Sequence, residues 1–127
     1  MSERDVFEYA LLRVVPRADR GECFNAGVLV YCRAHSFVAV RTHLDEAKLF
    51  ALDPDADVAG VRAALRAVES VCAGGKVAGQ AAGDDAGRRF RWLIAPRSTV
   101  VRPGPVHTGL TADPRVETER LLQLLVR

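Results

Sequence analysis

Residues 6–32, VFEYALLRVVPRADRGECFNAGVLVYC, decide the fold. From 6 to 15 nearly every residue is apolar, aromatic or β-branched, Glu8 and Arg13 are the only charges, and Pro16 stops the run. That composition reads as a mostly buried strand. The polar residues 17–22, with Gly21 among them, lead into a second apolar run over 23–32, and a connection this short suits an antiparallel hairpin. Asn25 and Gly27 interrupt the second run. A buried amide must find hydrogen-bond partners, and a glycine inside a strand marks a bulge or a close backbone approach. Beyond the hairpin, Ala34, His35 and Ser36 form a polar break before 37–43, where Phe37, Ala39 and Arg41 alternate with Val38 and Val40. A third strand there completes a meander with a face to cover.

The cover comes from helices. Val58, Val61, Leu65, Val68 and Cys72 follow steps of three and four, the spacing of one apolar helix stripe, with Asp57 as N-cap and Gly74 and Gly75 for the C-terminal turn. Residues 44–52 predict a shorter helix that ends at Asp53 and Pro54. Five of the ten glycines fall in 74–87, which reads as a flexible loop within a single domain spanning 1–127. Residues 90–94 fit either period, but Asp84 or Asp85 before them and Pro96 after them favour a helix. Residues 99–102 are the remaining strand candidate, kept short or at an edge by Pro103 and Pro105. Asp113 and Pro114 start a last helix whose buried face is Leu121, Leu122, Leu124, Leu125 and Val126. The expected fold class is α+β, an antiparallel sheet of an N-terminal three-strand meander plus a short later strand, packed against three or four helices.

A chain of 127 residues buries roughly two-thirds of the surface its unfolded form exposes, enough to fold without a metal or disulfide staple. The net charge of +2 is far from that of a dedicated nucleic-acid coat and argues against DNA or RNA as the main partner. Cys23, Cys32 and Cys72 are an odd, widely spaced set without a CxxC pair, which points to reduced core thiols and a cytoplasmic protein. No apolar run approaches the about 18 residues a membrane helix needs, so no membrane association is expected.

Chemistry-bearing residues gather between 88 and 114, which holds the only Trp and four of the six prolines. His107, between prolines and Gly109 in an expected loop, is the candidate acid-base group, because imidazole titrates near neutrality. Arg97 and Arg102 are candidate anion contacts, with Ser98 and Thr99 as hydroxyl donors, a set that fits a phosphorylated small molecule or nucleotide. The interleaving of Arg88, Arg89, Arg91, Arg97 and Arg102 with Phe90 and Trp92 also has the form of a nucleic-acid stacking surface. Asn25 is placed as a support that hydrogen-bonds the 98–107 segment, with Arg20 and Glu22 at the hairpin mouth nearby. Cys23 and Cys32, nine positions apart, point to opposite strand faces, and with the three His they lack metal-ligand spacing, so no metal and no cofactor is expected. No nucleophile and carboxylate can be assigned beside His107. The leading expectation is therefore a noncatalytic interaction or regulatory module.

Two blocks carry a family resemblance. Arg20, Gly21, Glu22, Asn25, Gly27 and Val28 match an Arg-Gly-Glu then Asn-x-Gly-Val pattern, and Arg97, Ser98, Thr99, Pro105, Val106, His107 and Gly109 match an Arg-Ser-Thr then Pro-Val-His-x-Gly pattern. Together they resemble bacterial domain-of-unknown-function family 3037 over nearly the whole chain, with Arg102 standing where the family pattern has Gln. The resemblance implies no established activity. It does imply association with a kinase-like protein of the persistence-toxin type, and hence a regulatory or partner-binding role.

Overall fold

The structure, a computed structural model, describes residues 3–74, 85–97 and 99–127. Its elements run β1 (Asp5–Val14), β2 (Phe24–Cys32), a single 3₁₀ turn (Arg33–His35), β3 (Phe37–Thr42), α1 (Glu46–Leu52), α2 (Val58–Ala73), α3 (Ala86–Leu93), β4 (Val101–Pro103), β5 (His107–Thr111) and α4 (Pro114–Leu125). All strand pairings are antiparallel. The meander sets the order β3-β2-β1, and the far side of β1 is shared by β4, opposite Leu12–Val14, and β5, opposite Asp5–Tyr9.

β2 is apolar at consecutive positions, Ala26 to Val30 all being buried, because the sheet is covered on both faces and not on one. Phe7, Val28, Val30 and Cys32 pack against Leu121, Leu122 and Val126 of the α4 segment. On the opposite face Leu12, Val14 and Val101 pack with Leu49, Val61 and Leu65 of α1 and α2. Leu29 packs there with Cys72 of α2 and with Phe90 and Leu93 of α3. The stripe read at three-and-four spacing is thus the face α2 turns to the sheet.

Helix ends follow the sequence punctuation. The Asp45, Asp57, Asp85 and Asp113 carboxylates each accept a first-turn backbone N–H, satisfying donors a helix leaves unpaired. α3 begins at Ala86, so residues 86 and 87 of the expected loop are helical, while 75–84 lie outside the described residues. Gly74 ends α2 at φ 75°, a conformation other residues adopt only with strain.

Near Gly27 the β1·β2 register shifts: Leu12 opposes Gly27 and Arg13 opposes Asn25, leaving Ala26 as the extra residue of a bulge. A side chain at Gly27 would stand 3.0 Å from the Arg41 carbonyl oxygen and 3.1 Å from Leu12, the close approach its position implies. Two expectations are corrected. The segment around His107 is a strand, not a loop, and Cys23 is exposed ahead of β2, so only Cys32 and Cys72 are core thiols.

Candidate functional site

Side chains on one strand alternate between faces, and residues directly opposed on antiparallel neighbours share a face. β1 therefore sends Phe7, Tyr9, Leu11 and Arg13 toward α4. Glu8, Ala10, Leu12 and Val14 point toward α1–α3. By register, Asn25, Arg102 and His107 join the α4 face through Arg13, Arg13 and Tyr9 respectively.

Arg97 is on the other side. Its guanidinium lies 4.2 Å over the Trp92 ring and donates to the Trp92 carbonyl oxygen at 2.7 Å. With Thr99 it lines an apolar cavity of about 230 Å³ closed by Leu12, Val68, Leu93 and Val101. The 97–109 segment hence does not converge on one pocket: Arg97 and Thr99 border the α2–α3 side, whereas Arg102 and His107 face α4. Thr99 Oγ1 donates to the Val101 carbonyl oxygen and Arg102 Nε to the Thr99 carbonyl oxygen, each at 2.8 Å, which fixes the turn into β4. Ser98 lies outside the described residues. His107 is exposed, its ring 5.2 Å from Tyr9, and its imidazole makes no hydrogen bond to any described residue.

The support expected of Asn25 goes elsewhere. Its amide donates to the Leu125 carbonyl oxygen at 3.1 Å, closing the C-terminal turn of α4, where carbonyls lack intrahelical partners. Arg20 and Glu22 pair with each other at the hairpin mouth. The arginines of 88–102 are largely engaged inside the protein. Arg91 pairs with Glu8, Arg89 donates to the Cys72 carbonyl oxygen, and Arg97 covers Trp92.

A concavity of about 850 Å³, open to solvent, runs between α3 and the β1–β5 pair and is lined by Val6, Tyr31, Arg33, Arg88, Trp92 and Thr108, with the Glu8–Arg91 pair across it. Val6 and Leu110, direct partners across the β1·β5 ladder, are 61% and 59% exposed, and Trp92 opposite them is 40% exposed. Val6 and Leu110 thus stand side by side in solvent at this edge of the sheet.

The backbone of β5 adds to it. The Gly104 and Val100 contacts to Leu11 and Val15 show that odd-numbered residues of β1 direct their polar groups toward β4 and β5. Strand alternation then turns the N–H and C=O groups of Thr108 and Leu110 away from β1, toward the open edge. β5 itself, HTGLT, contains no Asp, Glu, Lys, Arg or Pro.

Elsewhere, burial pushes the Cys72 thiol up to about 11, which makes it inert near neutrality. Among the described residues no three His, Cys, Asp or Glu gather where they could hold a metal, and no helix is long and apolar enough to cross a membrane.

An antiparallel sheet with helices on both faces defines an α+β fold, and among the described residues an apolar groove lies beside β5. The model of the family described as "Protein of unknown function (DUF3037)" matches residues 9–126, and the chain belongs to that family. No curated protein and no solved structure matches it.

Proposed function

We propose that this protein is a noncatalytic interaction module, and that an extended segment of its partner adds alongside β5 and seats apolar side chains against Val6, Leu110 and Trp92. The reading is carried by the register, from which strand alternation turns the Thr108 and Leu110 backbone groups away from β1, together with the exposed Val6 and Leu110 side chains on the same edge. Strand addition draws affinity from main-chain hydrogen bonds and selectivity from side-chain pockets, and the α3 groove supplies the latter. A kinase-like protein is the partner class proposed, supported by the association that the family resemblance implies. The alternative of an enzyme built on Arg97, Arg102 and His107 draws less support, because those groups lie on opposite faces of the sheet.

Tagged protein isolated from its native host is expected to retain a stoichiometric partner, and Leu110→Asp is expected to lose it while remaining folded. Equal recovery of the partner with Leu110→Asp contradicts the reading.

A further inference from the structure

Protein interiors are filled to the density of organic crystals, so a void that reaches an apolar core stands out against its surroundings. One such void lies between β1, α2, α3 and β4, the cavity of about 230 Å³ bordered by Arg97. Its floor belongs to the core, since Leu12, Leu93 and Val101 are all buried. α2 contributes Ala64, Ala67, Val68 and Val71, positions spaced by three and four that fall on one helix face. The two alanines account for the space. The adjacent stripe of α2 reaches the sheet with Val61, Leu65 and Cys72, whereas a single methyl group at 64 and at 67 leaves the gap to Trp92 and β4 open. An apolar void of about 150 Å³ stays dry and takes up benzene. In proportion, about 230 Å³ accommodates a hydrocarbon body of about eight carbons.

The polar part of the rim is small. Among the described residues that line the cavity, Arg97 is the single charged side chain, and the one hydroxyl, on Thr99, donates its proton to the Val101 carbonyl oxygen. Arg97 is half-buried and has no carboxylate partner among the described residues. Arg17, Arg20, Arg41, Arg62, Arg91 and Arg120 each have one. Two contacts hold the Arg97 guanidinium at the rim: it lies over the ring of Trp92, itself a lining residue, and Nη2 donates to the Trp92 carbonyl oxygen. The fork keeps further N–H donors beyond the one so used. A tetrahedral dianion calls for several basic groups, whereas one guanidinium matches one planar carboxylate in charge and in geometry.

We propose that this cavity is a binding site for a small amphiphilic monocarboxylate, with its hydrocarbon body against Leu12, Leu93 and Val101 and its carboxylate paired with Arg97. No residue of β5 lines the cavity, so the site stands whether or not a partner strand adds there. Trp92 lines both this cavity and the groove beside β5, whereas Ala67 lines the cavity and not the groove.

The test uses the full chain and the fluorescence of Trp92, its only tryptophan. Octanoate and its neutral counterpart octanol are titrated separately, in buffer free of other carboxylates. Octanoate is expected to change the emission saturably and to bind at least tenfold more tightly than octanol. Arg97→Gln should weaken octanoate at least tenfold and leave octanol unchanged, the split that a carboxylate contact predicts and a loss of packing does not. Ala67→Leu fills the cavity from an exposed position of α2 and should keep its melting temperature while losing both compounds. Absence of a saturable response to octanoate, equal affinity of the wild type for octanoate and octanol, or octanoate affinity unchanged by Arg97→Gln or by Ala67→Leu would overturn the assignment.

Discussion

The sheet has two edges, and the protein builds them differently. β3 runs between α2 and α4 and is tied to both: Thr42 Oγ1 donates to Glu69 of α2 at 2.6 Å, and Arg41 pairs with Glu119 of α4. Its apolar side chains, Phe37, Val38 and Val40, pack into the cores on the two faces. At the opposite edge β5 leaves Leu110 in solvent beside Val6. Edge strands invite unwanted pairing, and proteins blunt them with charge, proline, bulges or covering elements. The β3 edge has a charge and flanking helices. The β5 edge carries no Asp, Glu, Lys, Arg or Pro and leaves Leu110 exposed.

Perturbing the scaffold of this contrast should have the largest effect. Phe90 is fully buried, stacked 5.3 Å from the Tyr31 ring, and anchors α3, which forms the far wall of the groove. Phe90→Ala is expected to cost about 3–5 kcal/mol in urea unfolding, and partner binding at the β5 edge should weaken with it. A loss below about 1 kcal/mol would show that this ring does not hold the wall.

Next comes alkali, which should loosen the β3 side. Burial raises the Cys72 thiol from the ordinary 9.0 to about 11, so the unfolded chain ionises first and the folded protein loses stability as pH rises from about 9 to about 11. The loss attributable to this group is of order 2 kcal/mol, read as the difference between wild type and Cys72→Val in urea midpoints at pH 8 and pH 11. Equal slopes would remove the assignment.

A smaller effect is expected at α4. Asp113 accepts from the Arg115 and Val116 amides at 3.0 and 3.4 Å, and Asp113→Ala should cost about 1 kcal/mol by thermal unfolding. Leu110→Asp should change stability least, within about 0.5 kcal/mol, while abolishing partner capture. A large destabilisation there would mean that the exposed edge is a structural contact.

Much of the scaffold is legible in the sequence. The β1–β3 meander follows from apolar runs punctuated at Pro16 and Gly21, and α2 from its stripe and the Asp57 cap. β5 is not legible, because HTGLT has no apolar alternation. It is a strand because β1 presents unpaired backbone groups at Asp5–Tyr9, a condition that exists only once the sheet has formed. The candidate site is legible in part. Arg102 and His107 stand out by clustering, and the need of Asn25 for a partner is plain, but its acceptor lies 100 residues away at Leu125. Glu8 and Arg13 are both visible as charges in a buried strand. Only the folded structure shows that Glu8 pairs with Arg91 of α3 and that Arg13 stands opposite Arg102.

Amide hydrogen exchange of the protein with and without its co-purified partner tests the central claim most directly. The Thr108 and Leu110 amides should exchange rapidly in the free protein and become protected in the complex, while those of Val38 and Val40 on the β3 edge stay unchanged. Protection at Val38 and Val40 with Thr108 and Leu110 unaffected would contradict the account.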